Sequence, residues 1–150
     1  MKPGLPQLLI GAATAIGTRI LPALDPDSYA AGDAKMLAAL LILMAQDAGR
    51  VADRLSRENR AMRALFADAA ETPVGVALAG KLAEAASSSD ESLIVDDLEG
   101  EHDRLTAILI DLHETVEQSS ADWAERLNTR IWSFLKQAAE ARAVMLPVIG

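Results

Sequence analysis

The two histidines, His102 and His113, are the residues best suited to metal or proton-transfer chemistry, and both fall in one helical stretch. Eleven residues at about 100° apiece bring them to nearly the same angular position but about 16 Å apart along a helix axis. One ion cannot bridge that distance. Glu99 and His102 do form a Glu-x-x-His, the element a di-iron bundle carries on two helices, with a further Glu from each of two others. No other helical stretch of this chain has a histidine. An ion at Glu99 and His102 would therefore lack ligands, and neither a metal nor another cofactor is expected. Glu99, His102 and His113 remain the one polar site built around histidine. The plainer expectation is that His102, one turn before Leu105, packs at the edge of an apolar stripe with its polar tip in water. His113 lies beside that stripe, next to Glu114 and four residues before Glu117.

Nucleophilic chemistry has less support. The serines cluster at 87–89, 92 and 119–120, where helix capping and loop composition account for them. No G-x-S-x-G occurs, and no glycine-rich loop follows a strand pattern. The chain has no cysteine, which removes thiolate nucleophiles, thiolate metal sites and disulfides. Asp96 and Asp97 are adjacent, so on a helix they diverge rather than share a proton, and they read as caps. With no residue to nominate as catalytic, the sequence does not read as an enzyme.

Charge is unevenly distributed. Arg50, Arg54, Arg57, Arg60 and Arg63 face only Asp53 and Glu58 within residues 50–63. Residues 90–103 hold seven carboxylates, among them Asp96, Asp97, Glu99 and Glu101, and no lysine or arginine. A solvated polar face with local ion pairs is one reading of these blocks. Their mutual pairing, within a chain or across a dimer, is a second. An anion site on the arginines, for a phosphate or coenzyme A moiety, is a third. The stripe drifts around its helix, which weakens that third reading. A net charge of −8 argues against nucleic acid as a partner.

The elements that must position these residues are helices. Alanine and leucine dominate while β-branched residues are few, and that balance favours helix over strand. At 150 residues the chain fits one domain, 1–150. A first helix is expected from near Pro6 to before Pro22, with Gly11, Ala12, Ala15 and Gly17 admitting a close neighbour. Leu37, Leu41, Met44, Ala48, Val51, Leu55, Met62, Leu65 and Ala69 keep the three- and four-residue spacing of a buried stripe. They predict one long helix over about 28–71, interrupted on its apolar face only by Glu58 and Asn59, with Gly49 as a kink. Thr72 and Pro73 would start a short helix to about Ala86. A serine-rich loop and a "LIVDD" segment, too β-branched to assign to helix, would precede a helix capped by Asp96 or Asp97. Its buried face is Leu105, Ile108, Leu109, Leu112 and Val116. Ser119 or Ser120 would cap the last helix, with Trp123, Leu127, Ile131, Phe134, Leu135 and Ala138 in line before Pro147. The fold class is all-α: an antiparallel bundle of about five helices with one long member.

The most apolar run, Met36–Ala45, is about half of the roughly 20 residues that span a bilayer, so no membrane is expected. Lys2 and "LLIGAATA" resemble a secretory signal only faintly, since Pro3 and Pro6 interrupt it and amphipathic sequence continues beyond. The cytoplasm is the expected location.

"ENRAMRALFADA" (58–69) and "EHDRLTAILIDL" (101–112) look like loose copies, and they begin in the basic and acidic blocks respectively. Together with "LLIGAATAIGTRILPAL" and "LIVDDLEGEHDRLTAILIDLHETVE", they resemble a group of small, uncharacterised all-helical bacterial proteins. That group has a first helix ending in Leu-Pro-Ala-Leu (here Leu21–Leu24), a Glu-Asn-x-x-Leu-Arg-Ala-Leu-type helix and a helix ending in Leu-x-x-Leu-His (here Leu109–His113). Met62 and Thr106 depart from its pattern, where leucine and arginine are expected. Members are encoded near acyl-CoA dehydrogenases and kinase-like proteins, so the resemblance implies an accessory role around acyl or aromatic-acid metabolism and carries over no catalytic residue. The functional expectation is a non-enzymatic helical protein acting through protein–protein contact, as a homodimer or with another protein. The alternative is a binder of a small apolar or acyl ligand between helices, in core space left by alanine, glycine and methionine.

Overall fold

The computed structural model describes residues 2–143. Six α-helices account for most of them: α1 (Leu5–Ala15), α2 (Tyr29–Ala48), α3 (Val51–Ala70), α4 (Val76–Ser87), α5 (Val95–Glu117) and α6 (Asp122–Ala141). No strand occurs among the described residues. The chain divides into two compact units, one built on residues up to Val51 and the other on Ala52–Arg142.

The first unit is an antiparallel helical pair. Pro6 sits in the first turn of α1, where its missing N–H costs nothing. Past Ala15 the helix loosens into a π-helical turn, Ile16–Ile20, and tightens to 3-10 over Leu21–Ala23 ahead of the connection. Ser28 caps α2, its hydroxyl accepting from the Ala31 N–H. Pro6 at the start of α1 lies against Gly49 at the end of α2, so the two helices run in opposite directions. Gly11 and Gly17 are exposed, a Cβ added at either would meet nothing within 4 Å, and the close approach expected there does not occur. Ala13 and Ile16 are the residues of this segment that are buried.

The stretch expected as one helix over 28–71 is two. A turn at Gly49–Arg50 separates α2 from α3, with the Arg50 N–H donating to the Asp47 carbonyl. The stripe is buried from Leu55 through Met62, Leu65 and Ala69, whereas Leu37 and Met44 are exposed.

The second unit is a bundle of α3–α6. Ion pairs and hydrogen bonds fix its directions. Lys81 meets Asp111 and Ser88 meets Glu101, so α4 runs against α5. His113 meets Asn128 and His102 meets Arg142, so α6 also runs against α5. Asp68 pairs with Arg130 and Glu58 with Arg142, which sets α3 against α6. The core centres on Phe66, Met62, Leu82, Leu105, Leu112 and Ile131. The α5 face is the one the spacing predicts, with Ile108 only partly covered.

Helix starts differ locally. Thr72 does not cap α4: its hydroxyl donates to the Ala69 carbonyl and closes the end of α3. Gly75 is the residue before α4, at φ +93°, a conformation open to glycine. Ile94 precedes α5, leaving Asp96 and Asp97 in its first turn, where the helix dipole favours them. Ala121 precedes α6, and Ser119 accepts from the Ala121 N–H. Pro147 lies outside the described residues.

Candidate functional site

Two features stand out, one in each unit. In the second, three polar side chains of α3 are buried: Glu58, Asn59 and Arg63. Burying them without partners would cost several kcal/mol each, so their partners determine the local structure. They come from residues far away in sequence.

Arg63 is the hub. Its Nη2 donates to Asp90 Oδ1 at 2.8 Å and to Glu101 Oε1 at 2.7 Å, and its Nε donates to Ser88 Oγ at 3.0 Å. Glu101 also takes two hydrogen bonds from Arg104, each 2.8 Å. Those from Arg104, then those from Arg63 and Ser88, overcome burial and hold the Glu101 carboxyl at about 2. Burial pushes the Asp90 carboxyl up, but hydrogen bonds from Arg63, Asn59 and Ser56 together bring it below its ordinary value. Burial likewise works against the Arg63 cation, and its two carboxylates outweigh that and raise its pKa.

Asn59 joins this group to His102. Its Nδ2 donates to Asp90 Oδ1 at 3.2 Å and to the Leu98 carbonyl at 3.3 Å, which turns Oδ1 toward His102 Nδ1 at 3.0 Å. An amide oxygen only accepts, so Nδ1 carries the proton and Nε2 is left for other partners. Arg142 Nη2 lies 3.3 Å from Nε2 and donates to Glu58 Oε2, itself 3.6 Å from Nε2. His102 is therefore not an edge histidine with its tip in water. Both ring nitrogens have partners within the chain, Nδ1 at the buried Asn59 and Nε2 beside the half-exposed Arg142. Glu58 Oε1 is buried with no hydrogen-bond partner.

Neither serine of the cluster reaches His102: Ser56 bonds Asp90, and Ser88 bonds the Ala85 carbonyl and Glu101. The arrangement holds α3, the 88–94 loop, α5 and the end of α6 in register. Its chemistry is that of a polar lock. His113 has another setting, 3.2 Å from Asn128 Oδ1, 3.5 Å from Glu117 and edge-on to Trp132. The two histidines share no site. Glu99 is exposed, and among the described residues no group of three or more carboxylates or histidines could hold an ion.

Between the two charge blocks, Arg63 meets Asp90 and Glu101 directly. Arg57 pairs with Asp53 on its own helix, Arg50 and Arg60 are exposed, and Asp96 and Asp97 point to solvent from the start of α5. Arg54 is half-buried and engaged within the chain. The five arginines form no single anion pocket. An open groove of about 760 Å³ beside the lock is lined mostly by serines and carboxylates, including Asp90, Asp97 and Glu101, with Arg104. Such a lining does not suit an acyl chain.

The sequence marked Glu58 and Asn59 as a polar interruption, and its basic and acidic blocks offered Arg63 with Asp90 and Glu101 as one pairing, but it gave no sign of Ser88, Arg104 or Arg142 as partners. The available signal was that two polar residues in a strongly apolar stripe require buried partners.

The second feature is the outward face of α2. At 100° per residue, Tyr29, Asp33, Met36, Leu37, Leu40 and Met44 fall within one arc of about 100°, and all are exposed. Met36, Leu37, Leu40 and Met44 are each 48–60 % exposed. The opposite arc carries Ala31, Ala34, Ala38, Leu41, Ile42 and Ala45, all buried or half-buried, and α2 packs on α1. The helix thus packs four alanines with Leu41 and Ile42 inward and leaves four further large apolar side chains outward, so it is apolar on both faces. α2 is long and apolar enough, by length and composition, to cross a membrane.

No family model matches the chain, and no curated protein or solved structure matches it.

Proposed function

We propose that this protein is a non-enzymatic helical interaction protein that works through the outward face of α2 and associates with itself. The observation that carries this reading is the exposed apolar stripe of α2. Single exposed leucines are ordinary, but a contiguous stripe of Met36, Leu37, Leu40 and Met44 along one helix face is the kind of patch that marks an interaction surface. Covering large apolar side chains is the dominant favourable term in association. In the second unit the polar lock supports an accessory role: it fixes helix register and offers no nucleophile beside His102.

Light scattering tests the reading directly. The protein at micromolar concentration is expected to have twice the mass of one chain, and Leu37→Glu or Leu40→Glu is expected to return the single-chain mass. A wild-type mass of one chain across that range overturns it. Binding to lipid vesicles by a protein of single-chain mass also overturns it, in favour of a membrane partner for α2.

A further inference from the structure

The last turn of α6 is tied to the bundle by one side chain. Ala138 is buried, but Ala139, Glu140 and Ala141 after it are all exposed. Arg142 follows them, its N–H closing the helix on the Ala139 carbonyl at 3.2 Å. Lys136 and Glu140 pair within α6 itself. Among the described residues, the hydrogen bonds and ion pairs that join this turn to other helices are those of the Arg142 guanidinium, with Glu58 of α3 and His102 of α5.

That junction depends on the charge of His102. Asn59 offers the ring only an acceptor, so Nδ1 holds a proton in the neutral and the charged imidazole alike. In the neutral ring the Nε2 lone pair faces Arg142 Nη2 at 3.3 Å and accepts from it. A proton at Nε2 turns this acceptor into a donor and sets two cations side by side. Glu58 Oε2, 3.6 Å from Nε2, is the acceptor within reach of the new donor. Exposure decides which cation leaves. The His102 side chain is 16 % exposed and pinned through Nδ1, whereas that of Arg142 is 49 % exposed and passes easily into water. Glu58, buried and in need of a counter-charge, keeps one in the imidazolium. We infer that His102 is a pH-sensitive latch: neutral, it holds the end of α6 through Arg142, and protonated, it takes Glu58 for itself and releases that end.

The other charged groups around the ring leave this exchange in place. Asp90 reaches the ring through Asn59 and is paired with Arg63. Glu101, the residue before His102, is held by Arg63 and Arg104. Glu99 and Asp103 are exposed on α5, and Arg54, one turn before Glu58, is half-buried and engaged within the chain. A histidine exchanges its proton between roughly pH 8 and pH 5. The Asp90 and Glu101 carboxyls, both lowered, take theirs in more acid solution, so the lock stays closed while the latch works.

The test reads the carbon-13 shifts of Cα in residues 139–142, which report helicity without an exchanging amide proton. In the wild type these shifts are expected to lose their helical displacement between roughly pH 8 and pH 5.5. The midpoint is expected to coincide with that of the His102 ring nitrogens, followed in the same sample. Arg142→Gln is expected to show the released shifts at every pH, and His102→Gln to show no step. His113→Gln, which alters the other histidine, is expected to keep the step. Wild-type shifts that hold through the His102 titration overturn the latch, as does a step that survives in a folded His102→Gln. Helical shifts in Arg142→Gln at the upper pH, or loss of the step in a folded His113→Gln, also overturn it. If His102→Gln does not fold, the wild-type midpoints decide: coincidence supports the latch and separation overturns it.

Discussion

Arg63 shows how one side chain can decide a local structure. Its side chain is 10 % exposed, and its guanidinium satisfies Asp90, Glu101 and Ser88 at once. Removing it leaves two carboxylates with lost partners in a partly dry site, so Arg63→Ala is expected to cost about 3–5 kcal/mol. Arg57, about three-quarters exposed and paired only with Asp53, serves as the control. Arg57→Ala is expected to stay within about 0.5 kcal/mol in the same urea titration. The lock also has a pH signature. Asp90 and Glu101 have lowered pKa values in the folded chain. Their contribution is therefore complete above the ordinary carboxylate range and is lost as pH falls through the folded values. For Glu101 the window runs from 4.5 down to about 2, and the linked stability is at most about 3 kcal/mol. Urea midpoints are expected to fall steeply below pH 4.5, and Glu101→Gln is expected to flatten that fall. An unchanged slope in Glu101→Gln would remove Glu101 from the account.

Among the elements, α4 depends on the residue that precedes it. Gly75 at φ +93° admits no side chain without strain, although a Cβ there would meet no neighbour. Gly75→Ala is thus expected to destabilise by about 1–2 kcal/mol through backbone strain alone, read as a lowered melting temperature. A neutral Gly75→Ala would place the start of α4 elsewhere. The elements also show what a sequence reveals and what it conceals. The buried face of α5 was legible because five apolar residues repeat at helical spacing, and the same holds for Leu127, Ile131 and Ala138 on α6. The separation of α2 from α3 was half-legible: Gly49 marked a weak point, but the apolar spacing carried on through it. The burial of Leu37 and Met44 was misread for a physical reason. Periodicity identifies an apolar face without saying whether the covering surface lies in the same chain. Asn59 posed the opposite problem, since its partners stand 31 and more positions away and only the assembled bundle brings them together.

At the scale of the molecule, the two units solve burial in different ways. The second builds a core of large side chains around Phe66 and Met62 and closes its polar seam with Arg63 and Asn59. The first packs alanines of α2, with Leu41 and Ile42, toward α1 and leaves Met36, Leu37, Leu40 and Met44 outward. On our account a second copy covers that outward face. The most direct measurement is the mass of the wild-type protein and of Leu40→Glu by light scattering, over a dilution series around one micromolar. Our account predicts a two-chain mass for the wild type and a one-chain mass for Leu40→Glu, with the two equally helical. A one-chain mass for both, or a two-chain mass for both, would contradict it.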